Sequence, residues 1–357
     1  MWRWVVGLWL ASRVAVIAAG VVLTDQLGWH RALAHWQVQP WTAVTGWDTA
    51  YYIELSHNGY HHNLSVAFFP LFPAAIWLVR EVLHTGDAVT AMLVSNGAAL
   101  IAMFGLYVLA RDRLSEAHAR RTLLYLVLSP YAFALVFAYS EGIFLALTVW
   151  LFVLSDRHKD GWAIPLAFLT GLTRITGAAL VPALLIRAWR RKTVEAWLLA
   201  IAPAVGLAAH AAWLWHAVGD PLAMVKIQSE WGGHLSFPLW PLVDQFWRFT
   251  TTHDVFYLAR GVTVIAYLLL LIPIWKSARF RATRDEDVVY VCAIFIMPLL
   301  SSVLYSVGRF GLVAFPLMFA LADLGLRRVT VHRAYVVFAP TIQFLLLAAA
   351  ALGYRPP

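Results

Sequence analysis

Charge is scarce in this sequence. Its 357 residues include 27 Lys and Arg against 19 Asp and Glu, 13% of the chain, while 61% are apolar. Soluble domains run at about 25% charged and about 45–50% apolar. With a mean hydropathy of +0.70, the chain is therefore neither a soluble globular protein nor a disordered or collagen-like one. Cysteine is almost missing: Cys292 stands alone in an apolar run, which excludes a disulfide framework and a Cys-based metal site. There is no Walker loop and no Gly-x-Gly-x-x-Gly fingerprint, against an ATP-driven pump or a nicotinamide enzyme. The His-Glu-x-x-His pattern of a zinc protease is also missing. The surplus of +8 reads as the Lys and Arg that membrane proteins gather in inward loops, not as a nucleic-acid surface.

What the chain has in quantity is apolar runs. The first follows Met1–Trp4 and extends to Leu23; with Arg13 inside it and one Arg before it, we read an uncleaved first span rather than a signal peptide. Further runs fall near 88–110, 122–138, 142–154, 162–173, 175–186, 194–217, 257–275, 288–307, 310–326 and 334–352. At about 20 residues per crossing, they predict an all-α polytopic membrane protein of about 11 spans, organised as one integral-membrane domain over 1–357. The run from Phe68 to Leu83 is ambiguous, and charge decides it. If it dips into the outer leaflet without crossing, and the N-terminus is cytoplasmic, five loops fall inside: 111–121, 156–160, 187–192, 276–284 and 327–333. With Arg3 they hold 18 of the 27 Lys and Arg. If it crosses, those loops face outward and the positive-inside rule fails downstream. The re-entrant reading puts loops 24–87 and 218–256 on the outward face, together with turns at Ser140–Glu141, Arg174 and Arg309. Charge beside a span is costly unless paired or functional, so these points on one face mark a candidate site.

The first outward loop contains Trp47-Asp48 and Tyr51-Tyr52-Ile53-Glu54, then Asn58-Gly59-Tyr60. A carboxylate partly desolvated among aromatics is a candidate general base; the alternative for Asp48 is a helix-capping role. Prolines in Phe68-Phe69-Pro70-Leu71-Phe72-Pro73 interrupt a helix ladder, as suits a bent juxtamembrane segment. Glu141, in Tyr139-Ser140-Glu141-Gly142, either accepts a ligand hydroxyl or sits in water. Arg174 and Arg309 stand where short apolar runs meet; guanidinium clamps phosphate bidentately, although snorkelling to headgroups is the alternative. His57, His61 and His62 lie near Glu54, so a divalent metal stays open, with interfacial histidines preferred. Trp231, in the second outward loop, suits a membrane interface or a sugar face.

In order along the chain, Trp47-Asp48 with Tyr51-Tyr52 and Gly59-Tyr60, Phe68-Phe69-Pro70-x-x-Pro73, Tyr139-Ser140-Glu141 and Thr173-Arg174-x-Thr-Gly177 resemble the GT-C superfamily of membrane glycosyltransferases. The likeness is to the PIG-V type, the second mannosyltransferase of glycosylphosphatidylinositol assembly, and its prokaryotic relatives. It covers the first half of the chain; where an Arg-Ser-Asn-Gly-like string is usual, this chain has Arg174-Ile175-Thr176-Gly177. The resemblance implies a GT-C-like fold and inverting transfer of mannose from a polyprenyl- or dolichyl-phosphate donor. The acceptor would be a glycolipid, glycan or protein hydroxyl on the outward face of a cell or endoplasmic-reticulum membrane. It makes Asp48 the base, gives the donor phosphate to Arg174 and Arg309, and leaves Trp47, Tyr52, Glu54, Glu141 and Trp231 to bind substrate without a required cofactor. The rival from another class is a secondary transporter or lipid flippase, whose paired broken helices the sequence does not display.

Overall fold

The computed structural model describes residues 2–27, 48–62, 64–231, 233–279, 283–302, 304 and 307–351. All regular structure among them is helical, apart from one isolated bridge between Leu235 and Ser301. In chain order the helices are α1 (Trp2–Leu27), α2 (Asp48–Asn58), α3 (Leu71–Leu83), α4 (Asp87–Arg113), α5 (Glu116–Leu128), α6 (Glu141–Asp156), α7 (Asp160–Gly171) and α8 (Leu180–Arg191). The second half adds α9 (Val194–Val218), α10 (Ala223–Lys226), α11 (Trp240–Thr252), α12 (Val255–Arg279), α13 (Asp285–Leu299), α14 (Val307–Val313), α15 (Pro316–Arg327) and α16 (Val329–Ala351).

Helix α1, α4, α9, α12 and α16 are long and apolar enough to cross a membrane, and α14 with α15 makes a sixth candidate bent by 74°. The protein is thus a multi-pass membrane protein. Helix length and composition alone do not support about eleven crossings. The reason is that several apolar runs break early: the run at 122–138 is helical only to Leu128, and α6, α7, α8 and α13 have 16, 12, 12 and 15 residues. At 1.5 Å per residue these are shorter than the roughly 30 Å hydrocarbon core. The Phe68–Leu83 run forms α3, 13 residues long, which is too short to cross.

Local sequence explains the ends. The Ser115 hydroxyl accepts from the His118 amide to start α5, and Thr193 does the same for Ala196 at α9. Gly219, at φ 71°, closes α9 in the left-handed region that glycine favours. Where α7 meets α9, a Cβ on Gly206 would lie 2.1 Å from the Phe168 carbonyl oxygen, and one on Gly171 2.2 Å from that of Pro203. Only small residues let two backbones approach so closely.

The main core lies between α4, α5, α6, α13 and α15, around Met103, Leu126, Phe144, Phe152, Tyr290 and Phe315. At one end of it, loops from four parts of the sequence are tied by ion pairs: Arg113 to Asp156 (2.6 Å) and Asp287 (3.0 Å), Arg187 to Asp156 (2.7 Å) and Glu286 (3.2 Å), and Arg284 to Asp156 (2.8 Å). The opposite end of α6 begins with Glu141, about 24 Å away at the helical rise. There the first outward segment packs on the second: Tyr60 and Val66 meet Leu214, Val218, Met224 and Ile227.

Candidate active site

Four charged side chains from four separate elements meet at the head of α6. Glu141, the first residue of that helix, is fully buried. Its Oε1 lies 2.7 Å from Arg174 Nη1 and 3.3 Å from Arg309 Nη1. Arg309 Nη1 also donates to Asp48 Oδ2 at 2.6 Å. Two carboxylates and two guanidiniums therefore cancel, which is how ionised groups survive burial beside a membrane. Asp48 is the most accessible member, with 27% of its side chain exposed, and Arg174 and Arg309 keep 13% and 15%. Among the described residues, Glu141 Oε2 is buried without a hydrogen-bond donor.

Each charge has a local reason for its place. Asp48 opens α2, where a negative group complements the exposed amides of a helix N-terminus. Arg174 sits in extended backbone (φ −160°, ψ 153°) between α7 and the 3-10 turn Ile175–Ala179. That turn is pinned to the proline-rich segment by a bond from the Leu71 amide to the Leu172 carbonyl, 3.0 Å. Arg309 is carried by α14, whose Gly308 lies under the Tyr131 ring; a Cβ there would fall 1.9 Å from the ring. The Arg309 guanidinium also rests over the Tyr139 ring, 4.9 Å from its centroid.

Neutral groups complete the rim. Ser140 Oγ accepts from Arg174 Nη1 (3.1 Å) and pairs with the Tyr52 hydroxyl (3.0 Å). Burial, reinforced by the charge of Asp48, holds the Tyr52 phenol well above its ordinary pKa, so it stays a neutral hydroxyl. Tyr52 is wedged edge-on between Phe68 (5.0 Å) and Phe72 (4.8 Å), which gives the Phe68–Pro73 motif a positioning part.

The sequence-derived candidates fare unevenly. Asp48, Tyr52, Glu141, Arg174 and Arg309 come together. Glu54 does not share their face: six residues beyond Asp48, it points to another side of α2. Trp47 lies outside the described residues, as does the side chain of Trp231, whose backbone ends the 3-10 turn Ile227–Trp231. His57 is not grouped with Glu54. It bonds Asp87 Oδ1 at 2.8 Å beside Arg80, tying α2 to α3 and α4. Among the described residues no set of three or more His, Cys, Asp or Glu is placed to hold a metal ion. Reading the sequence passed over Ser95, Asn96 and Thr49, which hold the backbone before Glu141. Their only signal was polarity inside or beside apolar helices.

Residues 33–179 match the family model for mannosyltransferases of the PIG-V type. Comparison with curated proteins by sequence gives no match. Among solved structures, the oligosaccharyltransferase of Archaeoglobus fulgidus in its apo form is similar over 96% of this chain and 56% of its own, with 12% identity and a TM-score of 0.47. The same enzyme with zinc and sulfate gives 96%, 53%, 13% and 0.45. Its homologue complex with an inhibitory peptide and dolichol-phosphate, titled AglB, gives 97%, 56%, 12% and 0.44. The chain thus spans about half the length of the solved proteins it matches.

Proposed function

We propose that the protein is a membrane glycosyltransferase that moves a sugar, mannose by family likeness, from a polyprenyl- or dolichyl-phosphate donor to an acceptor hydroxyl with inversion. The observation that carries this reading is the meeting of Asp48, Glu141, Arg174 and Arg309 at one end of the bundle, within a chain whose residues 33–179 match the PIG-V mannosyltransferase family. The titled complex of the archaeal neighbour with dolichol-phosphate makes a lipid phosphate a natural ligand to test.

In this reading the arginines neutralise the phosphate that leaves. Charge stabilisation aimed at a developing anion is commonly the largest catalytic term, and guanidinium supplies it without deprotonating. Before donor arrives, Arg309 rests on Asp48 and Glu141. An arginine-paired carboxylate is a weak base, so the phosphate must draw Arg309 from Asp48 for the base to act. Asp48 then takes the acceptor's hydroxyl proton as its oxygen attacks the anomeric carbon from the face opposite the phosphate. The anomeric C–O bond breaks, and the electron pair leaves with the lipid phosphate. Glu141 Oε2 offers a buried acceptor for a sugar hydroxyl, and Tyr52 holds Ser140 in place.

Orientation follows from the loops. The Arg-rich end of the bundle faces the cytoplasm and the quartet faces outward, which agrees with 18 of 27 cationic residues lying inward.

Titration of the purified protein with polyprenyl phosphate tests the phosphate clamp. Each charge-assisted bond is worth about 1.5–3 kcal/mol, so Arg309→Ala and Arg174→Ala should each weaken binding by roughly ten- to a hundredfold. Titrations matching the wild type would assign both arginines to structure and overturn the clamp.

A further inference from the structure

The backbone leading to Glu141 is buried yet not helical. Every residue from Tyr131 to Gly142 is buried, with only the short 3-10 turn Ala132–Leu135 as regular structure before α6. Water is not available at such depth to satisfy peptide groups, so protein must do it. Helices do this internally; this segment does not.

Its amides turn back locally: Val136 and Phe137 both donate to the Phe133 carbonyl (2.9 Å each), and Tyr139 to that of Phe137 (2.8 Å). The carbonyls are held from outside, one after another. Arg13 Nη2 donates to Leu135 O at 2.8 Å, Asn96 Nδ2 to Val136 O at 2.8 Å, Ser95 Oγ to Phe137 O at 2.6 Å, and Thr49 Oγ1 to Ala138 O at 3.1 Å. Four consecutive carbonyls thus have four side-chain donors from three helices, α1, α4 and α2. The donors are themselves fixed. Arg13 Nε donates to Asn96 Oδ1 at 3.0 Å, and the Asn96 amide gives its second hydrogen to Met92 O at 2.9 Å. The acceptors around Arg13 are neutral, so its charge is not there to meet an acid; its reach and fork of donors span Asn96 and the Leu135 carbonyl together. Next in the chain come the three residues that touch the arginines: Tyr139 under Arg309, Ser140 on Arg174, and Glu141 facing both. Gly142 then lies against the same turn of α4, where a Cβ would sit 2.7 Å from the Ser95 carbonyl oxygen.

We propose that Arg13, Asn96, Ser95 and Thr49 are positioning residues, a strap of four donors on the carbonyls of Leu135 to Ala138 that sets Glu141 between Arg174 and Arg309. The kinetic part of this proposal rests on the transferase reading; the structural part does not. The strap explains why an apolar first span carries a buried arginine and why α4 carries adjacent Ser95 and Asn96.

Two measurements on the purified full-length chain separate the possibilities: amide hydrogen exchange, and sugar transfer from polyprenyl-phosphate mannose. Thr49→Val keeps the side chain's shape and removes its donor; Thr49→Ser keeps the donor; Asn96→Leu removes the central one. A net hydrogen bond corresponds to a factor of about three to ten, so exchange at 135–142 should quicken by about that much in Thr49→Val and Asn96→Leu, with other helices unchanged. Misplacement by an ångström can cost about a hundredfold in rate; turnover should fall towards that while the donor KM stays within about threefold. Thr49→Ser should restore both readouts. Should Asn96→Leu fail to fold, the two Thr49 variants decide. Exchange that is unchanged, or quickened equally everywhere, overturns the strap; localised exchange with wild-type turnover overturns its positioning part. Localised exchange in a protein whose wild type transfers no sugar keeps the strap and removes the transferase reading.

Discussion

Glu141 is the residue on which the site turns. It is the only acid in contact with both Arg174 and Arg309, and it has no exposure to water. Removing one partner from a buried pair leaves the other charge uncompensated, at about 3–5 kcal/mol. Glu141→Gln should therefore lower the stability of the purified protein by roughly that amount in denaturant unfolding. Asp48→Asn should cost less, because Asp48 is partly exposed and Arg309 keeps Glu141. Equal losses would mean the two carboxylates are interchangeable supports. The quartet was legible in the sequence because each member is a charge interrupting or flanking apolar runs, where an idle charge is expensive. The partners were not legible. Nothing in the spacing says that Asp48 meets Arg309, 261 positions away. Nor could polarity at Ser95 and Asn96 reveal that they bond the carbonyls of a distant segment.

At the scale of elements, helices were legible and their ends were not. An apolar run looks the same whether it continues as a span or stops at Leu128 and proceeds as buried irregular backbone. The His57–His61–His62 grouping failed for a related reason, since neighbours along a short helix point to different faces, and His57 turned to Asp87 instead. The ion pairs at the far end of α6 do for the bundle what no single loop signals: Arg113, 5% exposed, binds both Asp156 and Asp287 and joins α4, α6 and α13. Arg113→Ala should cost about 3–5 kcal/mol for the charges left behind, read as a lowered unfolding midpoint. Residual folded protein should bind polyprenyl phosphate as the wild type does. A stable variant, or one with lost lipid binding, would contradict the division of the molecule into a structural end and a binding end.

At the scale of the whole molecule, the two charge clusters lie at the ends of one 16-residue helix and serve different ends. The cytoplasmic one closes the bundle, while the outward one keeps two arginines charged, buried and close to a partly exposed carboxylate. The most direct test follows label from radiolabelled polyprenyl-phosphate mannose, with source membranes as acceptor and EDTA in a parallel arm. Wild type and Asp48→Asn are compared at equal amounts of folded protein. Wild type should move label to a new product with or without EDTA. Asp48→Asn should be slower by roughly 10²–10⁴, the usual worth of positioned proton transfer, while still binding the donor lipid. Equal transfer by both would remove Asp48 as the base. No transfer by wild type from a donor that a known mannosyltransferase consumes would contradict the account itself.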